Sequence, residues 1–112
     1  MAYNKYKNKK TIVDGIPFDS LKEARRYQEL KLLVRGGAIK DLELQPVFEL
    51  IPKQKHHGKT IRKANYIADF KYTDIKRGIE VVEDVKGFKT DVYKLKKKMF
   101  LYKYPQYEFK EI

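Results

Sequence analysis

Asp84 and Lys86 stand two residues apart at the end of an apolar run, Ile79-Glu80-Val81-Val82-Glu83-Asp84-Val85-Lys86-Gly87. The run is short, β-branched and closed by glycine, which predicts a strand. Side chains alternate across a strand, so Glu80, Val82, Asp84 and Lys86 share one face. A carboxylate able to hold a metal then projects beside an ammonium able to steady a nucleophile or a developing negative charge. An isolated D-x-K is far more often a solvated ion pair on an edge strand. Chemistry therefore depends on the other acids. Asp69 is the sole acid of the apolar stretch Ala64–Tyr72, and an unpaired carboxylate in mid-strand needs a partner or a metal. Glu23 has two readings: it reaches back to the N–H of Ser20 in a capping box, or it lies beside the apolar stripe of a helix as a third acid.

The elements that must position these groups follow from the pattern. Residues 1–10 are lysine-rich, hold no acid and show no apolar period, which predicts a flexible basic arm; residues 11–112 form a single domain. Thr11–Phe18 predicts a hairpin on its Asp14-Gly15 turn. Ser20 then opens a helix to about Arg35, with Leu21, Ala24, Tyr27, Leu30 and Val34 as its buried stripe and Gly36-Gly37 as its stop. Asp41–Ile51 reads as one strand, bulged or at an edge near Pro46, with Leu42, Leu44, Phe48 and Leu50 on one face. Pro52–Asn65 is polar and basic: a loop, or two strand tips drawn out into a long hairpin. Its His56 and His57 point apart on an extended chain, and no further histidine exists to complete a metal set, so a phosphate-facing segment is the better reading. Ala64–Tyr72 reads as one strand with Tyr66, Ala68, Phe70 and Tyr72 on one face and Asp69 on the other. Thr90 opens a second helix to about Lys103, with Val92, Leu95, Met99 and Tyr102 on its apolar side and lysines over the rest. Tyr107–Ile112 closes the chain as a strand.

Composition limits the partners. Lys plus Arg number 26 against 15 Asp plus Glu, a formal net charge of +11 over 112 residues. Such an excess favours a polyanion, nucleic acid before an anionic membrane surface. No apolar run approaches the ~20 residues of a spanning helix, and no signal-peptide pattern is present. Cysteine is absent, which excludes disulfides and thiolate metal sites and is compatible with the cytoplasm.

After the first hairpin the order is α, β, β, β, α, β, a mixed sheet flanked by helices of α/β (α+β) class. Asp69 and Asp84 then lie on neighbouring strands. Two carboxylates on one side of a sheet repel, and Mg²⁺ or Mn²⁺ relieves that repulsion with oxygen ligands, the carbonyl of Val85 among them. Glu83 should point to the other face, but a shift of register would make Glu83 the ligand in place of Asp84.

The segments FDSLKEARRYQEL, IKDLELQPVFEL, YIADFKY, VVEDVKGFKT and YKLKKKMFLYKYP carry a family resemblance. The chain resembles the PD-(D/E)xK nuclease superfamily, whose core is αβββαβ, and within it a small group of phage and prophage proteins likened to Holliday-junction resolvases. The resemblance implies a restriction-endonuclease-like fold and a Mg²⁺- or Mn²⁺-dependent endonuclease that leaves a 5′-phosphate. It implies Asp69, Asp84 and Glu23 as metal ligands and Lys86 as the water-orienting cation. Ala68 stands where the superfamily has the proline of its "PD". Branched DNA is the narrower substrate expectation, and paired cuts would require a homodimer. The expected setting is the cytoplasm of a bacterial or phage-infected cell. Lys59, Arg62, Lys63, Lys89, Thr90, Lys94 and Lys97 are the candidate DNA contacts, although Thr90 is more simply an N-cap. The competing class is a module on the same fold that holds nucleic acid without cutting it.

Overall fold

The structure, a computed structural model, describes residues 10–112. All but the last residue of the expected N-terminal arm therefore lies outside the described residues. Strands β1 (Thr11–Val13) and β2 (Ile16–Phe18) form the first hairpin. Asp14 and Gly15 turn it at φ of 54° and 75°, the paired positive φ that a two-residue turn needs and that Asp-Gly supplies. Helix α1 (Leu21–Arg35) starts where expected: Ser20 Oγ accepts the N–H of Glu23 at 3.0 Å. It ends at Gly36-Gly37, where Gly37 takes φ of 80°. Its buried face is Glu23, Ala24, Tyr27 and Leu30. Leu21 and Val34, expected on that face, are 52% and 40% exposed. The helix is rolled so that Glu23 takes the place assigned to Leu21.

The expected strand Asp41–Ile51 is two strands, β3 (Ile39–Leu44) and β4 (Val47–Ile51). The chain turns over between them at Gln45, which takes φ of 51°, and at Pro46. Leu42 and Leu44 consequently pack on the α1 side while Phe48 and Leu50 pack on the opposite side, correcting the shared face. Strands β5 (Gln54–His56) and β6 (Lys59–Ile61) follow as a separate hairpin, the drawn-out alternative. His57 adopts φ of 49° at its turn, which brings the two imidazole rings to 4.1 Å instead of pointing them apart.

The expected strand Ala64–Tyr72 also breaks, into β7 (Ala64–Ile67) and β8 (Phe70–Asp74). The two breaks are tied together: Gln45 N–H donates to the Asp69 carbonyl at 2.9 Å and Ala68 N–H to the Pro46 carbonyl at 3.1 Å. Tyr66 and Ala68 face one core while Phe70 and Tyr72 face the other, and Asp69 occupies the break, not the middle of a strand. Strand β9 (Ile79–Asp84) pairs antiparallel with β8. Helix α2 (Asp91–Lys103), capped by Thr90, crosses to β10 (Glu108–Glu111), which lies parallel to β9. The main sheet has the order β10-β9-β8-β3, so α1-β3-β8-β9-α2-β10 realises the αβββαβ order in an α+β fold with a mixed sheet. The side strands β4 and β7 pair with each other.

β9 divides two cores. Val81 and Val85 join Phe18, Tyr27, Leu30, Phe70 and Tyr72 on the α1 side. Val82 joins Phe48, Tyr66, Tyr93 and Phe100 on the α2 side. Helix α2 buries Tyr93 and Phe100, not the expected Val92, Leu95 and Tyr102, which are largely exposed. Both sets recur at helical spacing; the aromatic set has rings that meet Phe48, Tyr66 and Tyr107, and aromatic area dominates core burial. Among the described residues no helix is long and apolar enough to cross a membrane.

Candidate active site

β9 ends at Asp84, and three other groups approach that end. Asp69 is held there from the break between β7 and β8, its N–H donating to the Glu83 carbonyl at 3.1 Å. Its carboxylate Oδ2 accepts the N–H of Val85 at 2.6 Å. Glu23 comes from the first turn of α1. With Gln45 and Asp69 it lines a cavity of about 320 Å³ bounded also by Lys10, Phe18 and Asp19. Asp84 is fully buried and does not reach the wall of that cavity.

The polar contacts of Asp84 are unequal. Tyr66 donates its hydroxyl to Oδ2. Oδ1 is buried and has no hydrogen-bond partner among the described residues. Lys86 Nζ lies 3.3 Å from Oδ1, near enough for charge attraction but without hydrogen-bond geometry. The same ammonium sits 4.6 Å from the centre of the Tyr93 ring, a cation–π contact that limits where it can swing.

The electrostatics bear the mark of crowded acids. Burial pushes the Asp69 carboxyl well above the usual carboxylate range, and the neighbouring Asp84 and Glu23 charges push it further against the opposing bond from Val85 N–H. Burial raises Glu23 as well, followed by Asp19 and Asp84, with Lys86 opposing. The Glu23 carboxylate does not return the capping-box bond to Ser20 among the described residues; of its two readings, the structure takes the one that turns it inward. Among the described residues no three acidic or imidazole side chains are drawn together at metal-ligand spacing. A divalent oxygen-seeking cation nevertheless fits the donor set. A buried carboxylate oxygen without a hydrogen-bond partner among the described residues and a neighbouring carboxyl pushed up by burial and by nearby acids are what such an ion would satisfy.

Glu83 is not the acid of this site. It points to the α1 side, where Arg26 grips both its oxygens at 2.8 Å (Nε) and 2.6 Å (Nη2) and Tyr72 adds its hydroxyl. The alternative register is thus excluded by a partner 57 residues away in sequence. The expected DNA contacts divide. Lys59, Arg62 and Lys63 are exposed on and beside the β5–β6 hairpin, and Lys94 is exposed on α2. Lys89 and Lys97 instead pair with Glu111 at 2.8 and 3.3 Å, so their charge is largely answered within the protein. Thr90 Oγ1 accepts the N–H of Tyr93 at 3.0 Å, the plain N-cap role. Sequence reasoning missed Tyr66 and Tyr93, which hold Asp84 and Lys86; an aromatic residue in a strand or helix gives no sign that its hydroxyl or ring face will meet a charge.

No curated protein and no solved structure matches the chain. A family model described as protein of unknown function (DUF1064) matches residues 3–112, and the chain belongs to that family.

Proposed function

We propose that this protein is a metal-dependent endodeoxyribonuclease that hydrolyses phosphodiesters of DNA, branched DNA being the narrower substrate, in the cytoplasm of a bacterial or phage-infected cell. One observation carries the reading: Asp84 Oδ1 is buried with no hydrogen-bond partner among the described residues, beside Lys86 at 3.3 Å and an Asp69 carboxyl that burial and its acidic neighbours push well above the usual carboxylate range. A buried acceptor left without a hydrogen bond costs about 1–3 kcal/mol. Function is the usual reason for keeping it. The resemblance to PD-(D/E)xK nucleases and the net charge of +11 support the same conclusion.

Asp69, Asp84 and Glu23 would hold Mg²⁺ or Mn²⁺. Bound there, the ion supplies Lewis-acid polarisation of a phosphate and a water of lowered pKa. The remaining work falls to the chain. Tyr66 occupies Asp84 Oδ2 and leaves Oδ1 free to be a ligand. Val85 N–H fixes the Asp69 carboxylate. Lys86, steadied over Tyr93, orients the attacking water and balances charge that builds on the phosphate. Lys59, Arg62, Lys63 and Lys94 supply backbone neutralisation. Two cuts across a junction would require a homodimer.

The test is a panel of duplex, single-stranded and four-way-junction DNA incubated with pure protein and Mg²⁺ or Mn²⁺. Cleavage that disappears in Asp84→Ala while DNA binding persists is the expected result. Binding without cleavage under either metal would leave the binding module as the better account.

A further inference from the structure

We infer that the β5–β6 hairpin is a basic ribbon that enters the major groove of duplex DNA within about one helical turn of the scissile phosphate, an inference that rests on the nucleic-acid reading above and deepens it. Residues 51–63 are exposed without interruption. Between Glu49 and Asp69 the chain holds no acid and five cations: Lys53, Lys55, Lys59, Arg62 and Lys63. Among the described residues none of the five has an ion-pair partner, whereas Lys71, Lys86, Lys89 and Lys97 all have one. The free positive charge of this region is thus gathered on one projection.

The root of the projection is packed into the protein and its tip stands exposed. β4 and β7 carry it, with Phe48, Leu50 and Tyr66 in the α2-side core and Tyr104 donating to the Glu49 carbonyl at 2.8 Å. Beyond Ile51 no side chain is buried until Tyr66. A two-stranded hairpin standing alone in water is marginal, so it gains order from whatever it lies against. A two-stranded ribbon fits the major groove, about 12 Å wide. The pairings Gln54↔Ile61 and His56↔Lys59 put donors and an apolar group on one face, while Lys55↔Thr60 lies on the other. Both faces can meet DNA inside a groove, with Lys55 and its neighbours against phosphates and Gln54 and His56 against base edges. Gly58, at the tip, lies 11 residues before Asp69. At about 3.3 Å per residue that is a reach of at most ~36 Å, so the tip lies no farther from Asp69 than about one B-DNA turn of 34–36 Å.

The experiment is fluorescence anisotropy on a duplex of about three helical turns in EDTA, where no cut can occur. Wild type is compared with Lys55→Ala/Lys59→Ala/Arg62→Ala/Lys63→Ala across a salt series. The variant should bind at least tenfold more weakly, and its log–log salt slope should be shallower by about 3–4, the share of four phosphate contacts. Its melting temperature should stay at the wild-type value, because the four side chains are exposed. An A-form RNA duplex, whose major groove is too narrow and deep to admit the ribbon, should bind wild type more weakly than DNA. An unchanged salt slope in the variant, or equal affinity for the RNA duplex, overturns the ribbon assignment. Because metal is absent, loss of cleavage elsewhere leaves this result standing, and cleavage by wild type does not rescue it.

Discussion

Asp84→Asn removes one charge and changes no volume, and it should leave the metal-free protein at least as stable while ending its activity. In the wild type a buried Oδ1 has no hydrogen-bond partner among the described residues, a defect of about 1–3 kcal/mol. Asparagine keeps an oxygen for the Tyr66 hydroxyl and removes the Asp84 charge that acts on the neighbouring Asp69 carboxyl. The variant loses the attraction of Lys86, which lies 3.3 Å away with its side chain 29% exposed. Asp84 is itself fully buried, but the ammonium reaches solvent and makes no hydrogen bond to Oδ1, which limits the pair to about 1 kcal/mol. The net gain is about 0–2 kcal/mol. For a chain of this size each kcal/mol moves Tm by about 4 °C, so a Tm between the wild-type value and about 8 °C above it is expected in EDTA at pH 7 by scanning calorimetry. Adding Mn²⁺ reverses the order. A metal that binds only the folded state at 100 times its Kd adds about 2.7 kcal/mol, and wild type should gain it while Asp84→Asn does not. A lower Tm for the variant in EDTA, with wild type indifferent to Mn²⁺, would refute the reasoning. Asp84 would then be a structural partner of Lys86 and Tyr66.

Other outcomes follow from the same packing. Glu83→Ala should destabilise by about 3–5 kcal/mol, because it strands the Arg26 guanidinium that now grips a fully buried carboxylate; urea unfolding measures it, and a loss below 1 kcal/mol would mean that Arg26 finds solvent. Glu111 is held down to about 2 by Lys89 first, then by Tyr93 and Lys97. A depressed carboxyl stabilises fully above its ordinary value of 4.5 and loses that contribution as pH falls toward about 2. Lys89 is half exposed, so screening limits the contribution to about 1 kcal/mol. Glu111→Gln should therefore be less stable than wild type at pH 7, with the gap closing below pH 4.5; a gap that stays constant with pH contradicts the ion-pair account.

The chain announced its local signals clearly. Ser20 with Glu23 three residues on, the Asp14-Gly15 turn and the Thr90 cap each rest on short-range hydrogen bonding and stand where the sequence puts them. The alternating apolar residues of Asp41–Ile51 and Ala64–Tyr72 were also real, but a period of two says nothing about a chain that turns over midway. Gln45 takes a positive φ that its residue type does not advertise, and Asp69 sits in the matching break only because the two segments bond to each other there. On α2 two stripes at helical spacing competed. Periodicity could not choose between Val92-Leu95-Met99 and Tyr93-Phe100, since the choice belongs to the rings waiting on the sheet. Strand order brings Asp69 near Asp84, but not from the break between β7 and β8 that it occupies. The role of Glu83 was not legible, because its partner Arg26 lies on a distant helix.

The binding of Mn²⁺ itself, followed by the electron paramagnetic resonance signal of the free ion during titration, reaches the acids without any assumption about substrate. The account predicts a single ion taken up per wild-type chain, with that uptake lost in both Asp69→Asn and Asp84→Asn while Glu83→Gln retains it. Wild-type protein that leaves the free-ion signal untouched, or Asn variants that bind as wild type does, would contradict it.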